Sequence, residues 1–130
     1  ACPELIRCLN DVKYSFNSYT MSRAALVCGA AAVKDTEYFE DNIRKIVSTR
    51  EWVKEELKNL GFVITDSKAN FIFASHPEYD AGRLFEELKE ERIYVRHWDD
   101  ERIDRYLRIT VGTDDEMKIL IDSLKRKIHP

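Results

Sequence analysis

A chain of 130 residues, 44% hydrophobic and 35% charged, has the size and composition of one globular domain with a modest core. Its formal net charge of −3 comes with no basic stripe, which argues against nucleic acid or an anionic membrane as partner. The longest apolar stretch, Ala24 to Val33, is about half of what a bilayer span needs, and Ala1-Cys2-Pro3-Glu4 lacks the basic-then-apolar order of a secretory leader.

Opening on Ala1 rather than methionine, the chain reads as processed, tagged or excised. Cys2, Cys8 and Cys28 form no CxxC pair, and three cysteines without a framework fit a reducing cytoplasm, the expected location. His76, His97 and His129 lie too far apart for metal-ligand spacing, so no metal site is expected.

Residues 3 to 10 are predicted as a short helix starting at Pro3, the favoured first helical position. Lys13 to Thr20 is polar and aromatic and reads as a loop. Ser22 to Val33 is predicted as a helix faced with alanine, cysteine and glycine, which permits close approach of another element. Nothing else in the chain is shaped to receive it. Asp35 or Thr36 caps a long helix ending at Leu60, with Gly61 as its left-handed stop. Its apolar stripe runs Phe39, Ile43, Ile46, Val53, Leu57 and Leu60, and Arg50, on the same stripe, is expected to snorkel to solvent.

Strands are predicted at 62–65 and 69–74, with a turn around Asp66-Ser67, and Ser75 to Asp80 is a loop. A helix over 80–91 turns Leu84, Phe85 and Leu88 inward. Ile93 to His97 reads as a strand, Trp98 to Asp104 as a charged turn, and 105–111 as another strand. The last helix, 114–127, buries Met117, Ile119 or Leu120, Ile121 and Leu124, and His129-Pro130 is its frayed end. The fold class is therefore α+β: a small antiparallel or mixed sheet of three or four strands with helices on one face. Residues 1–34 form an all-helical segment and 35–130 the α+β domain.

The run Tyr106-Leu107-Arg108-Ile109-Thr110-Val111-Gly112-Thr113-Asp114-Asp115-Glu116 carries the most chemistry. Alternation puts Leu107, Ile109 and Val111 on one strand face and Arg108 and Thr110 on the other. Thr113 and Glu116 have capping-box spacing, so a helix starts there. A guanidinium cannot shed its charge and is costly to bury without an anion. Arg108 is thus either a solvated or salt-bridged strand residue, or part of an anion site.

Four stretches bear on that choice: Tyr14-Ser15-Phe16-Asn17-Ser18, Ala69-Asn70-Phe71-Ile72, Ile93-Tyr94-Val95-Arg96 and Leu107-Arg108-Ile109-Thr110-Val111-Gly112-Thr113. In this order they resemble the C-terminal small domain of a fold-type I, pyridoxal-phosphate-dependent aminotransferase, and within that family the histidinol-phosphate aminotransferase branch. The likeness covers about residues 3 to 127. It implies that Arg108 holds the substrate's anionic end and that Arg96 is a second arginine on its phosphate. It places Asn70 near the active site and Asn17 in a loop crossing between domains, although that loop departs from the common form at Ser15 and Tyr19. For both asparagines, a side chain that only caps a turn is the alternative.

The resemblance also implies what lies elsewhere. The lysine that bonds pyridoxal phosphate, its acidic partner and the phosphate cup belong to a large domain upstream of these motifs. Thr65-Asp66-Ser67-Lys68-Ala69 copies part of the family's lysine signature, but Asn70-Phe71-Ile72-Phe73 follows in place of glycines and an arginine, so Lys68 reads as a turn lysine. No catalytic, cofactor-binding or metal residue is expected in this chain, and it should be inactive alone. The implied partners are the missing large domain and a small phosphorylated or carboxylate substrate, with neither nucleic acid nor membrane. A homo-oligomer is expected, joined through residues 3 to 34. Other readings are another aminotransferase's small domain, a pyridoxal-phosphate-dependent decarboxylase of phosphorylated amino acids, or a free-standing, non-enzymatic anion-binding or interaction domain.

Overall fold

The computed structural model describes residues 2–16 and 19–128, Phe16 by its backbone alone. Two compact units divide the chain at Phe39/Glu40, inside its longest helix. The first unit holds α1 (Pro3–Phe16), α2 (Arg23–Lys34) and the first turn of α3 (Thr36–Asn59). α1 runs past Lys13 into the stretch predicted as a loop; Leu5, Leu9 and Val12 recur at helical spacing and carry the turn onward. Ser22 caps α2 by accepting the Ala25 N–H at 3.1 Å, and no residue of α2 is buried. Asp35 caps α3 through the Tyr38 N–H at 3.2 Å.

The second unit is the α+β body. β1 (Val63–Ile64), β2 (Phe71–Ser75) and β3 (Leu107–Thr110) form an antiparallel sheet in that order, with α4 (Ala81–Glu90) after β2 and α5 (Asp114–Ile128) after β3. Alternation decides which side each strand residue takes. Ile72, Ala74, Leu107 and Ile109 are buried, while Phe71, Phe73, Arg108 and Thr110 lie on the outer face. The inner face joins Val53 and Leu57 of α3, Leu84 and Leu88 of α4, and Leu120, Ile121 and Leu124 of α5 in one core. Leu120 rather than Ile119 points inward; Ile119 is 60% exposed.

Two helices of this unit end in the same way. Gly61 N–H bonds Lys58 carbonyl and Phe62 N–H bonds Leu57 carbonyl, while Arg92 N–H bonds Lys89 carbonyl and Ile93 N–H bonds Leu88 carbonyl. Both therefore close through a left-handed residue, Gly61 at φ 85° and Arg92 at φ 61°.

Two further expectations are corrected. Ile93 to His97 is not a ladder strand: only Arg96 pairs, through a single bridge to Arg108. The chain leaves the sheet directly afterwards, where the His97 ring bonds the Asp104 carbonyl at 2.7 Å and closes the turn. Arg50 does not snorkel. It is 6% exposed, and its guanidinium donates to the Ala69 carbonyl at 3.0 Å and pairs with Glu51.

Candidate functional site

On the outer sheet face Arg96 and Arg108 stand directly opposite one another. Arg96 N–H donates to Arg108 carbonyl at 3.0 Å and Arg108 N–H to Arg96 carbonyl at 2.8 Å. Cross-strand partners point to the same side of a sheet, so two guanidinium stems leave the backbone side by side. Aromatic rings surround them. The Trp98 ring centroid is 5.0 Å from the Arg96 guanidinium carbon and 5.6 Å from that of Arg108, and Phe71 lies 5.4 Å from the latter. Phe73, the cross-strand partner of Arg108 on β2, stacks on Tyr106 at 4.4 Å and meets Trp98 edge-on at 6.4 Å.

No carboxylate pairs with either arginine among the described residues. Asp100 is bound by Arg102 at 2.9 Å, and Asp99 approaches His97 at 3.9 Å. Arg108 Nε is buried without a hydrogen-bond partner. A buried donor left unsatisfied costs about 1–3 kcal/mol, more when charged, so the Arg108 side chain, beside a second cation, is left electrostatically unbalanced. This arrangement can hold a carboxylate through one planar fork or a phosphate between two.

The other expected residues stand apart from this pair. Asn70 lies just before β2, and its carbonyl accepts the Val111 N–H at 2.9 Å. Val111 is three residues beyond Arg108, about 10 Å along a strand, so Asn70 flanks the arginines without joining them. Asn17 lies outside the described residues. Downstream of the arginines, Thr113 donates its N–H and hydroxyl to Glu116 at 2.8 and 2.9 Å, closing the capping box that starts α5. The Thr113 backbone bond, followed by the hydroxyl, holds the Glu116 carboxyl below its ordinary range.

Lys68 is 78% exposed at its side chain and pairs with Asp66 at 3.3 Å. Its side chain thus stands in solvent at the turn between β1 and β2. Cys2, Cys8 and Cys28 are exposed, and among the described residues no three side chains of metal-binding type converge. No helix there is long and apolar enough to cross a membrane.

Sequence reasoning does not single out Trp98, Phe73 or Arg50 for the site. Trp98 follows Arg96 by two positions, the spacing that returns an extended chain to the same face, and that is the signal by which it could be found inside the charged turn. Arg50 anchors the carbonyl preceding Asn70, a role no local pattern announces.

Residues 1–124 match the family described as aminotransferase class I and II. The chain is 52% identical over 122 residues to the histidinol-phosphate aminotransferase of Lactococcus lactis subsp. lactis, covering 94% of this chain and 34% of that protein. The crystal structure of the histidinol-phosphate aminotransferase from Clostridium acetobutylicum superposes with a TM-score of 0.77 at 22% identity, over 92% of this chain and 37% of that one. The Sinorhizobium meliloti histidinol-phosphate aminotransferase, in complex with pyridoxal-5'-phosphate, gives a TM-score of 0.74 at 24% identity, over 90% of this chain and 33% of that one. At those identities the two structures establish the fold. The chain spans about a third of the length of the curated relatives it matches.

Proposed function

This chain belongs to the aminotransferase class I and II family, and we propose that it is the C-terminal small-domain portion of a histidinol-phosphate aminotransferase. The parent enzyme moves an amino group between histidinol phosphate and 2-oxoglutarate. Pyridoxal phosphate, held by the missing large domain, supplies the electron sink for that chemistry. The residues of this chain bind and orient. Arg108 and Arg96 take the phosphate of histidinol phosphate between their forks, and Arg108 takes the carboxylate of the second substrate in its turn. Asn70, held at the start of the central strand, borders the same substrate.

The observation that carries this reading is the facing pair itself, two arginines with no carboxylate partner among the described residues and with a buried, unpartnered Nε on Arg108. The bridge fixes where the stems begin, so the pair is organised before any ligand arrives and little ordering cost falls on binding.

Calorimetric titration of the 130-residue chain with histidinol phosphate tests the reading. Binding that inorganic phosphate competes away and that Arg108→Gln abolishes is expected, together with no turnover when pyridoxal phosphate and 2-oxoglutarate are added. Undiminished binding by Arg108→Gln refutes the site, and measurable turnover refutes the assignment of the chemistry to the missing domain.

A further inference from the structure

We infer that Trp98 is the positioning residue that holds Arg96 and Arg108 together as one site and gives that site its preference for a phosphate dianion over a carboxylate. The inference rests on the proposed anion-binding role and extends it to a residue that touches no ligand.

Two guanidiniums leaving neighbouring backbone positions repel one another, and proteins ordinarily hold such pairs with a carboxylate between them. Here no carboxylate among the described residues serves, since Asp100 is bound by Arg102 and Asp99 approaches only His97. One indole takes that place, with the two guanidinium carbons at 5.0 and 5.6 Å from its centroid. An aromatic face attracts a cation without neutralising it or occupying its hydrogen-bond donors. Both guanidiniums therefore keep their full charge and, apart from the buried Arg108 Nε, their N–H groups for a ligand. A carboxylate in the same place would have filled them.

The indole is itself held. It meets Phe73 edge-on at 6.4 Å and 66°, and Phe73 stacks on Tyr106 at 4.4 Å and 7°. Phe73 is anchored by its ladder pairing opposite Arg108. The shelf and the arginines thus share one piece of backbone, and a shift of the shelf displaces both cations at once. A monoanionic carboxylate is satisfied by a single fork, whereas a dianion with three acceptor oxygens gains from two. Loss of the shelf should therefore cost phosphate far more than carboxylate.

The test uses the 130-residue chain with inorganic phosphate and acetate as probes, and Trp98→Leu and Trp98→Phe as variants. Without ligand, the Arg96 and Arg108 side-chain Nε–H signals in nitrogen-edited NMR should be shifted by the indole ring current. Both should move in Trp98→Leu, while the core amide signals stay in place. With ligand, Trp98→Leu should bind phosphate about tenfold more weakly, ~1.4 kcal/mol, and acetate within about twofold of the wild type. Trp98→Phe should recover phosphate affinity to within about threefold, since a smaller ring still offers a π face. Unmoved Nε–H signals in Trp98→Leu, or equal losses for phosphate and acetate, overturn the role of Trp98 while leaving the arginine site intact. Absence of phosphate binding by the wild type overturns the proposed function and with it the preference assigned here. If Trp98→Leu fails to fold, Trp98→Phe decides: full loss of phosphate binding in that folded variant refutes the π-shelf argument.

Discussion

Replacing Arg50 by methionine separates a buried anchor from a solvated side chain. The substitution keeps most of the aliphatic stem and removes every donor. The pairing with Glu51 counts for little, because that carboxylate is 50% exposed and an ion pair open to water contributes about 0–1 kcal/mol. The bond to the Ala69 carbonyl at 3.0 Å is different, since the arginine side chain is only 7% exposed. Hydrogen bonds to charged groups contribute roughly 1.5–3 kcal/mol, and the abandoned carbonyl adds its own desolvation cost. Arg50→Met should therefore lower the unfolding free energy by about 2–3 kcal/mol. Urea denaturation at neutral pH measures it as a lower midpoint with an unchanged slope. Arg50→Lys, which can keep one donor, should fall in between. A loss below about 0.5 kcal/mol, the range of ordinary surface substitutions, would refute the buried-anchor argument and restore the snorkelling side chain.

The two left-handed helix ends predict opposite signs. At Gly61 an added Cβ would lie 2.9 Å from His76 Nε2 at φ 85°, so Gly61→Ala should destabilise by about 1–3 kcal/mol in thermal or urea unfolding. Arg92 carries a side chain at φ 61°, and Arg92→Gly should stabilise by about 0.5–1 kcal/mol; a loss there would show that contacts of the arginine stem outweigh its strain. Glu91 bonds Lys127 at 2.8 Å, Ser123 at 2.7 Å and Arg126 at 2.9 Å, and these, led by Lys127, hold its carboxyl down at about 2. Its contribution is thus complete above the unfolded value of 4.5 and is lost as pH falls toward 2, so Glu91→Gln should flatten the stability curve across that window; an identical acid limb in both proteins refutes it. Leu26, Val27 and Val33 of α2 are 54%, 65% and 77% exposed, which predicts concentration-dependent self-association that Val27→Glu weakens; a monomer at every concentration in sedimentation counts against it.

Helix ends and strand alternation are readable because each is a local rule. Gly61 needs only its own missing Cβ to stop α3, and Thr113 finds Glu116 three residues on. Leu107, Ile109 and Val111 alternate with Arg108 and Thr110 as the period of two requires. What escapes the sequence is non-local. Whether Arg50 reaches water depends on the Ala69 carbonyl 19 residues away, and the stripe position alone looks the same either way. Whether Ile93 to His97 joins the sheet depends on where the chain turns, and that is set by the His97 bond to Asp104. In α1 the difficulty is one of period: polar and aromatic residues after Lys13 obscure the spacing of Leu5, Leu9 and Val12.

Arg108 shows why a site can be visible in the sequence and still undecided there. A charged residue in a β-branched strand is compatible with solvent, with a salt bridge or with a ligand, and alternation predicts the outer face in all three cases. What separates them is the company the side chain keeps. A solvated arginine would leave its Nε wet, and a salt-bridged one would show a carboxylate; this Nε is buried and has neither. Its cross-strand neighbour is another arginine, placed there by a single bridge rather than by a predicted strand. Two cations that share one indole, with no carboxylate on them among the described residues, are a costly arrangement for a resting surface and a favourable one for a phosphate. In the proposed site a ligand would complete the local electrostatics that these residues leave unbalanced, which is why removing either arginine should reduce phosphate binding more than it reduces stability.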